Sequence, residues 1–226
     1  VPPVPGLWGQ NAGPENSRPK RATKLKPFYM DVTEVTVKQY KAFLEGIKED
    51  RTYNIRLRNV DSKLPDNHPM TGVPWGDAML YCRWSGKSLP TECQWEKAAR
   101  GEQGFTYPWG EDRPIWFESR KPARITEIMR YPTDLSPYGI YDLAGNAREW
   151  CADWYQPNAF NGLPEPVEDW EGPRRPSDSS RVVKGNGPYQ PAWDRQGLPM
   201  ITEHPQIGFR GVLTVTQFPL DAEDAK

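Results

Sequence analysis

The sequence predicts an irregular α+β domain in which short helices and short strands are embedded in a great deal of loop. Three observations predict it. The 226 residues include 25 prolines and 19 glycines spread over the whole length, about a fifth of the chain where roughly 12% is average, so long regular elements cannot dominate. The chain carries 10 Trp and 10 Tyr against a Leu, Ile, Val and Phe content of only about 18%, so the core is expected to be built from large amphipathic rings. Two capping boxes, Thr36 with Gln39 and Thr91 with Gln94, each open a short helical pattern.

The elements follow in order. Residues 1–24 are rich in Pro, Gly, Asn and basic residues without periodicity and are expected as an extended N-terminal arm. Leu25 to Val35 has aromatic and β-branched residues suited to a strand. From Thr36 a helix runs with Val37, Tyr40, Phe43, Leu44 and Ile47 on one face. Residues 48–68 are charged and irregular. Trp75 to Ser85 reads as a helix stopped by Gly86, and Thr91 starts another that ends at Gly101. Trp75, Met79, Cys82 and Trp95 are expected to pack. The stretch from Phe105 to Arg130 is loop, with YPWGEDRP as its turn signature. Tyr138 to Leu143 reads as a short strand and Gly145–Asn146 as a tight bend, while residues 156–180 form an excursion too polar to hide. Arg181 to Lys184 and Ile207 to Val215 are closing strands, and the last six residues, DAEDAK, should fray.

Composition also excludes functions. The net charge is −1, which gives no broad attraction to nucleic acid or anionic lipid, and no nucleic-acid partner is expected. No apolar run is long enough to cross a bilayer. The three cysteines, Cys82, Cys93 and Cys151, are odd in number and form no CxxC, so neither a zinc site nor a disulfide framework is indicated. The first residue is Val1, and the Pro-rich start VPPVPG is expected to act as a tether downstream of a signal or membrane anchor.

FYMDVTEVTVKQYKAF, HPMTGVPWGDAMLYCRWSGKSLPTECQWEKAARG, YPWG, SPYGIYDLAGNAREWCADWY, RVVKG and IGFRGV occur in that order, and together they resemble the formylglycine-generating enzyme or sulfatase-modifying factor family. The resemblance spans about residues 25 to 215. It implies a variant of the C-type lectin fold with small, mainly antiparallel sheets, and hence a domain over 25–218 with a tail at 219–226. It also implies an activity that this chain does not match. In the enzymes that make formylglycine, two cysteines between RV-x-x-G and GFR bind copper and activate oxygen, soft thiolates being selective for monovalent copper. Here the stretch from Lys184 to Phe209 contains no cysteine, so no copper is expected and no catalytic residue is assigned. Cys82 matches a position that in some members pairs with a cysteine directly after GFR, but that residue here is Gly211. Cys82 is therefore read as a free thiol.

YDLAGNAREW matches the part of the family that forms a calcium site. Carried over by position, Asp142 and Glu149 would supply carboxylates, and Gly145 and Ala147 backbone carbonyls, a hard-oxygen set suited to calcium. In the alternative reading GNAREW is a turn in which Glu149 accepts backbone hydrogen bonds or pairs with an arginine. The function expected from all this is a non-catalytic accessory or scaffold subunit. It would bind protein partners in a larger, possibly membrane-bound complex outside the cytoplasm, periplasmic or secreted. Two alternatives stand beside it. One is an oxidoreductase with a metal site rebuilt from Cys82, Cys93, Cys151, His68 and His204. The other is a sugar- or peptide-binding lectin-like module, using Trp109, Trp116, Trp150, Trp154 or Trp170 to line a groove.

Overall fold

Both capping boxes form in the computed structural model, which describes residues 1–48, 50, 63–113, 116–121, 124–174 and 178–215. Thr36 accepts from the Gln39 N–H and Gln39 Oε1 accepts in return from the Thr36 N–H, opening α1 (Val37–Gly46). Helix α2 (Trp75–Trp84) follows and gives way to Gly86 at φ 72°, a conformation that glycine adopts without cost. Thr91 and Gln94 repeat the reciprocal cap on α3 (Glu92–Arg100), which Gly101 ends at φ 65°. The readings for most of 48–68 and for the tail at 219–226 lie outside the described residues.

The strands are β1 (Gly6–Trp8), β2 (Arg21–Lys24), β3 (Phe28–Met30), β4 (Arg148–Trp154), β5 (Val167–Glu168), β6 (Ser180–Lys184), β7 (Gln196–Pro199), β8 (Ile207–Gly208) and β9 (Val212–Thr214). They make sheets of order β1-β2-β5, β3-β9 and β7-β6-β4-β8. Most pairs are antiparallel, as expected, but β2 pairs β5 and β4 pairs β8 in parallel. Each of those partners is distant in sequence, so the long connection that a parallel pair requires is available.

Several expectations are corrected. Residues 1–24 are no free arm: they supply β1 and β2, Trp8 is fully buried with its ring 3.9 Å from that of Phe160, and Lys97 Nζ holds the carbonyls of Pro2 and Val4. The second partner of β2, β5, lies beyond residue 160, which local pattern cannot reveal. The excursion at 156–180 is correspondingly less exposed than its polarity suggests, since it buries Phe160 and Val167 and contributes β5. Tyr138 to Leu143 forms no strand, only a bridge between Leu135 and Tyr141, because Asp142 adopts φ 61° and breaks the extension. The closing strand at 207–215 divides into β8 and β9 around Phe209 and Arg210.

The core is aromatic and has two parts, with β4 between them. Trp8, Phe28, Trp95, Phe160 and Cys151 belong to one. Tyr40, Phe43, Trp75, Tyr81, Phe209 and Trp150 belong to the other. Successive residues of a strand face opposite ways, so Trp150 and Cys151 serve the two halves in turn.

Candidate functional site

The segment from Tyr141 to Trp150 bends twice before it becomes β4. Asp142 at φ 61°, Gly145 at φ 128° and Asn146 at φ 67° turn the chain, and Arg148 to Trp154 then runs extended between β6 and β8. All four residues of the expected calcium set fall in this segment.

Asp142 is buried. Its Oδ2 accepts from the Met129 N–H at 2.7 Å, whereas Oδ1 has no hydrogen-bond partner and lies 4.0 Å from Arg120 Nη2. Burial, reinforced by the nearby charge of Asp134, pushes its pKa up to about 7. Gly145 lines a small polar cavity. Ala147 donates its N–H to Glu34 Oε1 at 3.2 Å. Glu149 is fully buried and grips Arg210 with both oxygens: Nη2 donates to Oε1 at 2.7 Å and Nε to Oε2 at 2.8 Å, with Trp95 Nε1 adding a third bond to Oε2 at 2.8 Å. The arginine pairing of the alternative reading is thus present, with Arg210 as the partner.

Glu34 escaped the sequence reading. Its side chain is buried, Oε2 has no partner, and burial, then the charge of Asp142, raise its pKa well above the usual carboxylate range. The available signal was an acidic residue set between valines in DVTEV. Asp142 and Glu34 therefore fit a hard cation, since each keeps a buried oxygen without a hydrogen-bond donor and the charge of Asp142 helps to raise the Glu34 pKa. Glu149 already has donors on both oxygens and could offer only remaining lone pairs. No three His, Cys, Asp or Glu side chains gather as a metal group among the described residues, so a calcium shell here would draw on backbone carbonyls, as the assignment to Gly145 and Ala147 supposes.

The three cysteines are buried, free thiols. Burial, then Asp31, raises the Cys82 pKa to about 12, and burial followed by Asp153 pushes Cys93 and Cys151 well above the ordinary thiol value. A thiol held protonated is a poor nucleophile and metal ligand. At Gly211 the space that a side chain would need is taken: an added Cβ would stand 2.8 Å from Lys87 Cδ and 3.0 Å from Asp31 Oδ2, two side chains that form an ion pair. Neither histidine joins a metal group; His204 Nδ1 faces Arg148 Nη2 and accepts from the Gln206 N–H, and His68 Nδ1 faces Asn67.

The tryptophans named for a groove divide. Trp150 is core, and Trp154 stacks on the Arg181 guanidinium at 3.3 Å. Trp109 and Trp116 form an edge-to-face pair at 5.1 Å. Of the five, Trp170 alone lines a cleft of about 430 Å³, which it shares with Trp75, Met79 and Leu89.

Residues 4–215 match the family model of the Sulfatase-modifying factor enzyme 1-like domain. A serine/threonine-protein kinase pkn1 of Chlamydia pneumoniae is 36% identical over 192 residues, covering 78% of this chain and 30% of the kinase. The chain therefore spans under a third of that relative's length. The formylglycine-generating enzyme of Streptomyces coelicolor is 27% identical, with 79% of this chain and 73% of the enzyme covered. Among solved structures, Treponema denticola variable protein 1 superposes with a TM-score of 0.73 at 19% identity, covering 95% of this chain and 94% of that one. This likeness shows the fold alone.

Proposed function

Because the chain belongs to the Sulfatase-modifying factor enzyme 1-like family, we propose that it is a non-catalytic member of it, an accessory or scaffold module that binds a protein partner in a larger assembly. One observation carries this reading. The stretch from Lys184 to Phe209 has no cysteine, and the three thiols elsewhere are buried and held protonated, so soft-metal oxygen chemistry lacks its ligands. A relative in which the matching part is 30% of a longer kinase supports a module that works attached to something else. Placement outside the cytoplasm belongs to the same proposal, as does calcium on Asp142, Gly145, Ala147 and Glu149.

The test has two arms. The chain, loaded with copper and offered a cysteine peptide, is expected to consume no oxygen, and a tagged copy in its source cells is expected to retain a partner at fixed stoichiometry. Unit copper with oxygen uptake would overturn the reading, as would a free monomer in native mass measurements of the source extract. Calcium is checked separately by thermal melts. A bound ion stabilises by mass action, about 2.7 kcal/mol at a hundredfold excess over Kd. Identical melting in calcium and in chelator removes the ion from the proposal.

A further inference from the structure

A cavity of about 190 Å³ opens beside the start of β4, and its one charged lining residue is Arg148. That guanidinium gives Nη1 to Gln196 Oε1 at 2.9 Å and places Nη2 3.2 Å from His204 Nδ1. No carboxylate pairs with it among the described residues. The buried arginines Arg100, Arg120, Arg195 and Arg210 each hold a carboxylate within 2.7 Å. Arg181, which also lacks an ion pair, lies instead between the rings of Trp75 and Trp154 at 3.7 and 3.3 Å. Arg148 is half-buried and has neither a counter-charge nor an aromatic face, and its Nε, the part of the guanidinium that is shut off from water, has no partner.

The same wall carries further unmet polar groups. Arg148 Nε, Asn146 Nδ2 and Asn186 Oδ1 are buried without hydrogen-bond partners, and buried polar atoms of this kind call for a water or a ligand. The amides are fixed from their other ends, Asn146 Oδ1 by the Thr126 N–H at 2.8 Å and Asn186 Nδ2 by Asp194 Oδ2 at 3.0 Å. Asp194 is tied to this wall through Asn186, and its second oxygen accepts from the Arg195 N–H. Two donors and one acceptor thus remain around a single positive charge. Glycine keeps the wall thin: at Gly145, φ 128°, an added Cβ would stand 3.3 Å from Gly187 Cα.

We propose that this cavity binds a carboxylate carrying an N–H or O–H donor beside it, the chemistry of a peptide's C-terminal residue. Arg148 supplies the counter-charge, the Asn146 amide donates, and Asn186 Oδ1 accepts from the ligand's own donor. One guanidinium among neutral amides suits a single negative charge better than a phosphate dianion, which draws on several cations or a helix N-terminus. The proposal rests on reading the domain as a protein-binding module and names what part of the partner enters it. Free amido or hydroxy acids share the chemistry.

Nitrogen-15-labelled full chain is titrated with N-acetylglycine, with its methylamide, with lactate, and with a short peptide in C-terminal acid and amide forms. N-acetylglycine is expected to shift the Arg148 Nε–H and the Asn146 and Asn186 side-chain resonances saturably, and the methylamide to leave them unmoved. The acid peptide should bind at least tenfold more tightly than its amide. If lactate matches the acid peptide, the source is a free acid; if the peptide is tighter, it is a partner's terminus. Arg148→Gln should weaken N-acetylglycine at least tenfold, and Asn186→Asp, which sets a negative charge in the wall, should do the same should the first variant fold poorly. Equal shifts from acid and methylamide, or undiminished binding by folded variants, overturn the proposal. If either result comes with the natural partner still retained, the cavity assignment falls and the module reading survives.

Discussion

Arg148 and Glu149 are consecutive residues of β4 that face opposite sides of it, and the two sides treat charge in opposite ways. Glu149 meets Arg210 and Trp95 and has no oxygen without a donor. The pattern continues on α3, where Glu96 holds Arg100 and Lys184 while Glu92 holds Arg195 through two bonds. On the other side Arg148 has amide and imidazole neighbours only, and its Nε is unpartnered. A charge whose every partner comes from the chain itself is architecture. One whose partners are incomplete suits a ligand, and Asp142 with Glu34 presents the same condition for the opposite sign.

The largest effect that separates the two sides is on stability. Arg210→Ala leaves the buried Glu149 carboxyl with only the Trp95 N–H, and removing one member of a buried pair costs about 3–5 kcal/mol. Arg148→Gln leaves no buried anion behind and is expected to cost at most about 1 kcal/mol. Urea unfolding of the two variants measures both. Equal losses would break the comparison, because they would make Arg148 as structural as Arg210.

The unsatisfied acids also set a pH dependence. Burial, aided by Asp134 for Asp142 and by Glu92 for Asp153, raises both pKa values from 3.8 to about 7. Between about pH 4 and pH 7 the native state therefore holds protons that the unfolded chain has released. Stability falls as pH rises through that window and levels off above it, by up to about 1.4 kcal/mol per pH unit for each proton. Asp153 accepts the Glu92 N–H at the start of α3 through Oδ2, while its Oδ1 has no partner. Asp153→Asn keeps an acceptor for that N–H and removes one titration, so the difference in unfolding free energy between pH 5 and pH 8 should shrink. An unchanged pH slope would mean that Asp153 is ionised in the fold throughout.

Local grammar was legible in the sequence, and distant pairing was not. The capping boxes at Thr36 and Thr91, the stop at Gly86 and the aromatic core follow from residue chemistry within a few positions. The ordered motifs carried the family. Strands β1 and β2 were hidden because their three- and four-residue signals mean little until β5, far along the chain, completes the sheet. Within the site, Asp142 and Glu149 were named, but the partner that decides the behaviour of Glu149 is Arg210, 61 residues away. Glu34 was missed for the same reason: a buried acid announces itself only through what surrounds it.

The smallest effects test whether satisfaction, rather than charge as such, is what counts. Thr91 is a neutral residue, yet its hydroxyl accepts the Gln94 N–H at 3.2 Å and orders the first turn of α3, from which Glu92 reaches Arg195. Thr91→Ala should cost about 1 kcal/mol, the usual value of a helix cap. Lys24 and Glu168 form an ion pair at 3.4 Å, but both side chains are more than half exposed, and water already serves each charge. Lys24→Ala is therefore expected to change unfolding free energy by less than about 0.5 kcal/mol. If removing the exposed pair cost more than removing the uncharged cap, burial and completeness of partners would not be the variables that rank these interactions.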